Sequence, residues 1–365
     1  MDRWRTELAS LFSHLHSTIR QSFISNYANP SAPAPTNSFT NAKPPAEHRH
    51  IDEKGIVRNA NGDPIHGGST ATLVVMVKDL NGGGASLITA NVGDSTGFLV
   101  PTRGTWDFLS VDHGPENQDE WVRVNTSAEE AHRYQTKLMF VYDKTNVFRK
   151  YECPCVFNHD GTKDQQYVAN PWGFGLHPTN VRYEPAVYAV TPRSISKDST
   201  CIAMTRALGD FYAHQFGLTH VPSISVKRIS CADSTADDTS QEHKNSYATQ
   251  EQAYTIFVAS DGVWDCWRYD DLMQFINDEL IHRGKNLLEM GEAVLEESIS
   301  RAITNFGAKH YDDACLVVWQ FTPTKVHAAA AADGAAMNDA HHGAPSLPAA
   351  QQAGAASAQD SAMSS

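Results

Sequence analysis

The sequence is short of positive charge and of long apolar runs. There are 29 Lys and Arg residues against 42 Asp and Glu, which gives a formal net charge of −13 over 365 residues. Because phosphate backbones are bound by basic surfaces, this balance argues against a nucleic-acid partner. No apolar run approaches the roughly 18 residues needed to span a bilayer, so we expect no membrane association. The opening stretch MDRWRTELASLFSHLH also lacks the apolar core of a secretory signal.

Cysteine is sparse and scattered. Two cysteines form a single C-x-C with no second pair, which is too weak a signal for a zinc site. Most of the others lie far apart, several of them inside apolar runs. This favours reduced core thiols in an intracellular protein over a disulfide framework. The six are Cys153, Cys155, Cys201, Cys231, Cys266 and Cys315.

The sequence does contain regularly spaced apolar segments. Apolar residues recur at three- and four-residue steps and predict an opening amphipathic helix over residues 4–24. Apolar, β-branched runs at 70–77 and 85–92 predict two strands joined by a hairpin, and YTIFVAS and ACLVVWQF predict two more. DLMQFINDELI and LLEMGEAVLEESISRAITNF have helical spacing. Strands in clusters, with helices between them, predict an α+β layered protein.

Composition divides the chain into a folded part and a tail. Hydrophobic residues make up 41% of the chain and charged residues 19%, which is typical of a globular protein. From about residue 326 onward the chain is mostly Ala, Gly, Ser and His, with too little bulky apolar surface to offset the entropy of ordering. We therefore predict one domain over 1–325, a disordered tail over 326–365, and a polar surface loop over 228–251.

Three predicted strands have a carboxylate at one end. Asp94 and Asp261 each follow an apolar strand, and Asp312 stands just before another. One such carboxylate would simply be solvated, and Asp-Gly at 261–262 is also common turn chemistry. Asp265 could equally be the first-turn acid of the next helix. Three carboxylates at one sheet edge would repel one another unless cations lay between them, and Mg²⁺ and Mn²⁺ prefer oxygen ligands. The sequence leaves open whether these strand ends converge.

Six segments occur in a recognisable order over residues 68–318. They are GSTATLVV (68–75), ANVGDS (90–95), LSVDHGPENQDEWVRV (109–124), MTRALGDF (204–211) followed by VPSISV, ASDGVWD (259–265), and YDDACLVV. This series resembles the metal-dependent protein serine/threonine phosphatases of the PPM or type-2C class. The resemblance implies a β-sandwich flanked by helices, with a two-metal site at one end. It also implies hydrolysis of phosphoserine and phosphothreonine in protein substrates by a metal-activated water, in a chain that is a monomer when complete.

The resemblance assigns metal-binding roles to five residues. Asp261 and Asp312 would be ligands of a Mg²⁺ or Mn²⁺ pair, and Asp94 and Asp265 would reach an additional, weaker ion alongside Asp261. Gly262 would let the backbone turn close to the ion.

The resemblance also assigns structural roles. Arg206 and Asp210 match a family motif and would form a loop-fixing ion pair. His113 would be structural as well, and Trp264 would pack beneath the metal loop.

One motif of the phosphatase class, Asp-Gly-His-Gly-Gly, is absent from the printed sequence. In that class it precedes a helix that resembles residues 4–24, so we expect it upstream of Met1 and expect the sandwich to be N-terminally incomplete. The segment DPIHGG (63–68) leads into a strand instead, so we reject Asp63 as a bridging ligand and His66 as an acid. Two hypotheses stay open: a fragment of an active phosphatase, and an inactive pseudophosphatase that binds phosphoproteins or a partner. The long insertion within 118–200 has no assigned role.

Overall fold

The computed structural model of the chain describes residues 2–28, 50–53, 55–58, 62–78, 84–102, 104–126, 137–143, 153–159, 167–169, 180–192, 200–229, 252–307 and 312–323. The helices are α1 (Asp2–Ala28), α2 (Gln118–Thr126), α3 (Asp261–Trp264), α4 (Tyr269–Asn277) and α5 (Leu287–Phe306). A 3-10 turn, Ala213–Phe216, and a π-helical turn, Asp278–His282, occur between them. None of the described helices is both long enough and apolar enough to cross a membrane.

The strands are mostly short. They are β1 (His50–Ile51), β2 (Val57–Arg58), β3 (Gly68–Ser69), β4 (Ala71–Lys78), β5 (Ala85–Val92), β6 (Thr96–Pro101), β7 (Asp107–Phe108), β8 (Met139–Tyr142), β9 (Phe157–His159), β10 (Tyr167–Ala169), β11 (Val187–Val190), β12 (Cys201–Ile202), β13 (Leu208–Gly209), β14 (Ser223–Ile229), β15 (Tyr254–Ala259) and β16 (Leu316–Phe321). Each of these strands pairs with its neighbours in antiparallel fashion.

Two sheets lie at the centre of the molecule, with strand orders β14-β5-β4 and β16-β15-β6-β7. Successive side chains of a strand point to opposite faces, so each sheet presents two distinct surfaces. Leu87 of β5 packs with Leu99 of β6 and Ile256 of β15 in one buried cluster. This cluster is the interior of a β-sandwich.

Helices cover the outer faces of both sheets. Ile88, next to the inward-facing Leu87, packs against Phe12 of α1. On the other sheet, Phe98 packs with Leu272 of α4 and Met290 of α5. The layers therefore run helix, sheet, sheet, helix, which confirms the predicted α+β sandwich flanked by helices. Helix α1 extends beyond the predicted 4–24 at both ends.

Several segment boundaries differ from the prediction. Residues 228 and 229, which the sequence predicted to lie in a polar loop, are the last two residues of β14. Residues 230–251 lie outside the described residues. Residues Met1–Val326 form one compact unit. The tail over 326–365 also lies outside the described residues, so its disorder stays a prediction. Of the six cysteines, five lie in described segments, and none of these five forms a disulfide.

The long 118–200 insertion contributes structure of its own. Strands β8 and β11 of the insertion form a three-stranded sheet with β12, which lies just beyond it, and β9 pairs with β10. Phe140 and Ala189 of the larger sheet pack with Tyr212 and Phe216, which follow the Arg-Ala-Leu-Gly-Asp segment. The insertion is thus packed onto the fold beside residues of the phosphatase-like motifs.

Candidate metal centre

Sheet register brings three strand ends together. Ala259, the last residue of β15, pairs with Thr96 at the start of β6 and with Leu316 at the start of β16. The end of β15 and the starts of its two neighbours therefore lie at the same end of the sandwich. The carboxylates just beyond these strand ends are Asp94, Asp261 and Asp312. The structure therefore shows that these strand ends converge, a point that the sequence left open.

The carboxylates at this end perturb one another. Burial, and then the charge of Asp261, raise the pKa of Asp94 to about 7. Burial and Asp261 also raise the pKa of Asp265 to about 7, although Arg182 acts in the opposite direction. The pKa of Asp261 is itself raised by burial and by Asp312. Each of these effects disfavours the ionised form, so the carboxyl groups of the cluster retain protons at a higher pH than isolated ones do.

Asp261 opens α3, and the backbone around it is tied to the segment that leads into β16. Its Oδ1 accepts a hydrogen bond from the Gly262 N–H at 2.9 Å. The Ser260 hydroxyl donates to the Asp313 carbonyl at 3.2 Å and accepts from the Cys315 N–H at 3.0 Å. A Cβ at Gly262 would lie 2.5 Å from the Asp313 carbonyl oxygen. The structure therefore explains this glycine by close approach to Asp313, whereas the sequence had suggested close approach to an ion.

Trp264 lies beneath this loop, as predicted. Its indole N–H donates to the Ala259 carbonyl at 2.8 Å, and its ring is 4.7 Å from that of Phe98. The side chain is fully buried. It anchors α3 to the end of β15 from the core side.

Three further acids belong to the cluster and were missed from the sequence. Desolvation by the surrounding protein, and then the charges of Glu116 and Asp94, raise the pKa of Asp112 well above its usual range. Loss of hydration near the neighbouring acids raises the pKa of Glu116, although its surface is largely exposed, and Glu184 adds to the effect. Asp112 and Glu116 lie within the quoted Asp-His-x-Pro segment, so that motif was the available signal. Glu184 lies in the insertion, where no motif pointed to it.

Arg182, also from the insertion, is the cation beside these acids. Its guanidinium donates to the carbonyls of Trp264 and Trp267, the latter at 3.1 Å. Nη2 lies 3.5 Å from Oδ1 of Asp265, and the group sits 4.7 Å from the centre of the Tyr269 ring. Arg182 therefore holds the loop between α3 and α4 in place and partly offsets the charge of Asp265.

Arg206 does not pair with Asp210, which corrects the predicted ion pair. Its Nε donates to Oε1 of Glu120 at 2.9 Å. Asp210 has a φ of 46°, and its backbone N–H donates to the Gly67 carbonyl at 2.8 Å. The two motif residues thus fix different contacts. His113 is structural as predicted, being buried with Nδ1 3.0 Å from the Gly93 carbonyl oxygen.

The sequence model of the protein phosphatase 2C family matches residues 15–148 and 193–306. The chain belongs to this family. The unmatched stretch between the two parts contains Arg182, so its contacts with the carbonyls of Trp264 and Trp267 come from outside the matched residues.

Solved structures of related enzymes also match the chain at low identity. Serine-threonine phosphatase 2C from Toxoplasma gondii is 14% identical, with a TM-score of 0.41 over 70% of this chain and 59% of that one. The serine/threonine phosphatase PstP/Ppp of Mycobacterium tuberculosis is 13% identical, with a TM-score of 0.27 over 68% and 58%. The chain therefore spans less than two thirds of the length of either structure.

Protein phosphatase 2C enzymes are metal-dependent, and the acidic cluster fits hard divalent ions. Its donors are carboxylate oxygens, the ligands that Mg²⁺ and Mn²⁺ prefer. Among the described residues, three metal-binding side chains place ligand atoms within 4.8 Å of one another only in a histidine cluster elsewhere in the fold. The carboxylates stand further apart than that, which suits ions that keep several of their waters.

Proposed function

We propose that the chain is a Mg²⁺- or Mn²⁺-dependent phosphatase acting on phosphoserine and phosphothreonine in proteins. The observation that carries this proposal is the meeting of Asp94, Asp261 and Asp312 at one end of the sandwich. The neighbouring carboxylates, whose mutual repulsion contributes to the raised pKa of Asp94, would repel a phosphate unless cations were bound first.

Asp261 and Asp312 would hold the catalytic metal pair, and Asp94 with Asp265 would hold a further ion beside Asp261. Bound divalent ions supply an activated water for in-line attack on phosphorus and neutralise charge on the phosphoryl oxygens. The protein's own contribution is to position these carboxylates. The close approach of Gly262 to the Asp313 carbonyl would keep Asp261 beside Asp312.

The second hypothesis of the sequence analysis stays open as an alternative to catalysis. The chain would then be a pseudophosphatase that uses the same surface to bind phosphoproteins or a partner without hydrolysing them. In that case the acidic cluster would still bind cations, and a phosphopeptide would bind but not turn over.

Phosphate release from a phosphothreonine peptide tests both functions. We expect Mn²⁺-dependent turnover by the full chain, with loss of activity in Asp261→Asn and Asp312→Ala. Asp271→Asn is the matched control, because Asp271 is exposed on α4 and lies outside the cluster. Background rates in all proteins, together with Mn²⁺-dependent peptide binding by fluorescence anisotropy, would instead support the pseudophosphatase. Neither turnover nor binding would overturn both proposals.

A further inference from the structure

Three histidines from distant parts of the sequence meet on the outer layer of the sandwich. His16 lies on α1, His214 in the 3-10 turn after the Arg-Ala-Leu-Gly-Asp segment, and His220 shortly before β14. One ring nitrogen from each lies within 4.8 Å of the other two. The ring centres of His16 and His214 are 4.5 Å apart, and those of His16 and His220 are 4.2 Å apart. All three side chains are half-buried.

Two of these rings present a buried nitrogen with no hydrogen-bond partner. They are Nε2 of His214 and Nδ1 of His220. The remaining nitrogen of His214 bonds to the backbone near Ala207 and Gly209, and Nε2 of His220 lies 3.4 Å from the Ser13 hydroxyl. With those nitrogens carrying the protons, the unpartnered ones have free lone pairs. Buried polar atoms without partners are rare in proteins, and a metal ion is one explanation for them.

His16 differs from the other two because its Nδ1 accepts a long hydrogen bond of 3.3 Å from the Gly209 N–H. Ligation through either nitrogen of His16 removes that bond: a metal at Nδ1 takes its lone pair, and a metal at Nε2 requires the proton to sit on Nδ1. The loss is one long bond. The gain is a metal–imidazole bond, which orders α1 against the neighbouring segment.

The three rings are neutral near pH 7, the form in which imidazole binds metals. Burial, then His220 and Arg20, lower the pKa of His16 to about 4. Burial, then His16 and His220, lower that of His214 to about 3, and burial lowers that of His220. Arg20, one turn further along α1, is the nearby positive charge that opposes a cation here.

We propose that His16, His214 and His220 bind a borderline transition-metal ion, Zn²⁺ foremost, that fastens α1 to the segment around β13. Three imidazoles with an open position for water form a familiar Zn²⁺ coordination set, whereas Mg²⁺ and Mn²⁺ prefer the oxygens of the carboxylate cluster. Helix α1 already packs against β13. The proposed role of the ion is to tie these two elements together, and the ion is distinct from the metal ions proposed for the carboxylate cluster.

Co²⁺ added to the metal-stripped full chain is the spectroscopic probe. We expect one ion per chain that gives the intense visible absorption of four- or five-coordinate Co²⁺, and displacement of this ion by Zn²⁺ but not by excess Mg²⁺, which competes only at the carboxylate cluster. Replacing a ligand, as in His214→Ala or His220→Gln, should weaken binding by more than the roughly 10- to 100-fold typical of second-shell changes. Circular dichroism checks that both variants fold.

Two control variants separate this site from its alternatives. His14→Ala removes an exposed histidine of the same helix, and Asp261→Asn removes a carboxylate of the other cluster; both should keep the Co²⁺ spectrum. A sulfur-to-cobalt charge-transfer band would place the metal on the cysteines and overturn the proposal. A spectrum that survives both ligand replacements, or that is lost equally in His14→Ala, would also overturn it.

Discussion

Arg206 and Glu120 form an ion pair between distant segments, with Nε of Arg206 2.9 Å from Oε1 of Glu120, although Asp210 lies only four residues beyond Arg206. Glu120 also accepts hydrogen bonds from Arg123 at 2.9 Å and from Thr205 at 2.7 Å. Its side chain is 2% exposed. This buried carboxylate therefore joins α2 to the residues that lead into β13.

Replacing Glu120 by glutamine should lower the free energy of unfolding by about 3–5 kcal/mol, because two arginines lose their shared, buried counter-charge. Urea denaturation measures the change. Glu297→Gln is the control, since Glu297 pairs with Arg301 in a partly exposed i,i+4 position on α5 and should change stability by no more than about 1 kcal/mol. Equal small losses in both variants would show that the Glu120 pair adds little.

Glu120 should also make the fold sensitive to acid. Burial by itself raises its pKa, but the hydrogen bonds and charges of Arg206 and Arg123 outweigh burial and lower the pKa from 4.5 to about 2. A folded-state pKa below the unfolded value stabilises the protein above about pH 4.5, and this contribution is lost as the pH falls toward 2. The stability difference between wild type and Glu120→Gln should therefore shrink between about pH 6 and about pH 3. A constant difference would exclude this linkage.

Arg182 should stabilise the loop between α3 and α4. Arg182→Ala removes a charged donor from the carbonyls of Trp264 and Trp267 and should reduce stability by about 1.5–3 kcal/mol. Arg182→Lys should recover only part of this, because an ammonium group cannot reproduce the planar fork of donors. Hydrogen exchange of residues 264–269 should quicken in the alanine variant. Arg268→Ala, at an exposed neighbouring position, is the control and should leave exchange unchanged.

Gly262→Ala should disturb the acidic cluster through the backbone. The new methyl group would lie 2.5 Å from the Asp313 carbonyl oxygen, so the segment that carries Asp312 has to move. We expect a loss of about 1–3 kcal/mol in stability together with a weaker response to Mn²⁺. Gly291→Ala is the matched control, because its nearest neighbour atom is 3.7 Å away and alanine favours the middle of α5. If both variants behaved alike, close packing at Gly262 would not be what positions Asp312.

Mn²⁺ should raise the melting temperature of the full chain. An ion present at about 100 times its Kd stabilises the folded state by about 2.7 kcal/mol. Asp261→Asn should remove most of the shift, because Asp261 perturbs the pKa values of both Asp94 and Asp265. Asp271→Asn should keep it. Identical shifts in the two variants would exclude Asp261 from the metal site.

The sequence by itself determined the elements and their neighbours along the chain. Apolar periodicity is a local property, so it located α1, the β4-β5 pair and the strands β15 and β16 to within a few residues. The same local reading placed Asp94 and Asp261 directly after apolar strands. The order of motifs then predicted the family that the comparison confirmed.

Only the tertiary structure decided which of these residues meet. The register that sets Ala259 opposite Thr96 and Leu316 joins the strand ends, and no local pattern specifies it. For the same reason the sequence chose Asp210 as the partner of Arg206, where packing of α2 supplies Glu120 instead. The contact of Arg182 with the loop between α3 and α4 and the cluster around His16 also join segments far apart in the chain. Such contacts depend on how whole layers pack, because a side chain's partner in space is fixed by the fold and not by its sequence neighbours.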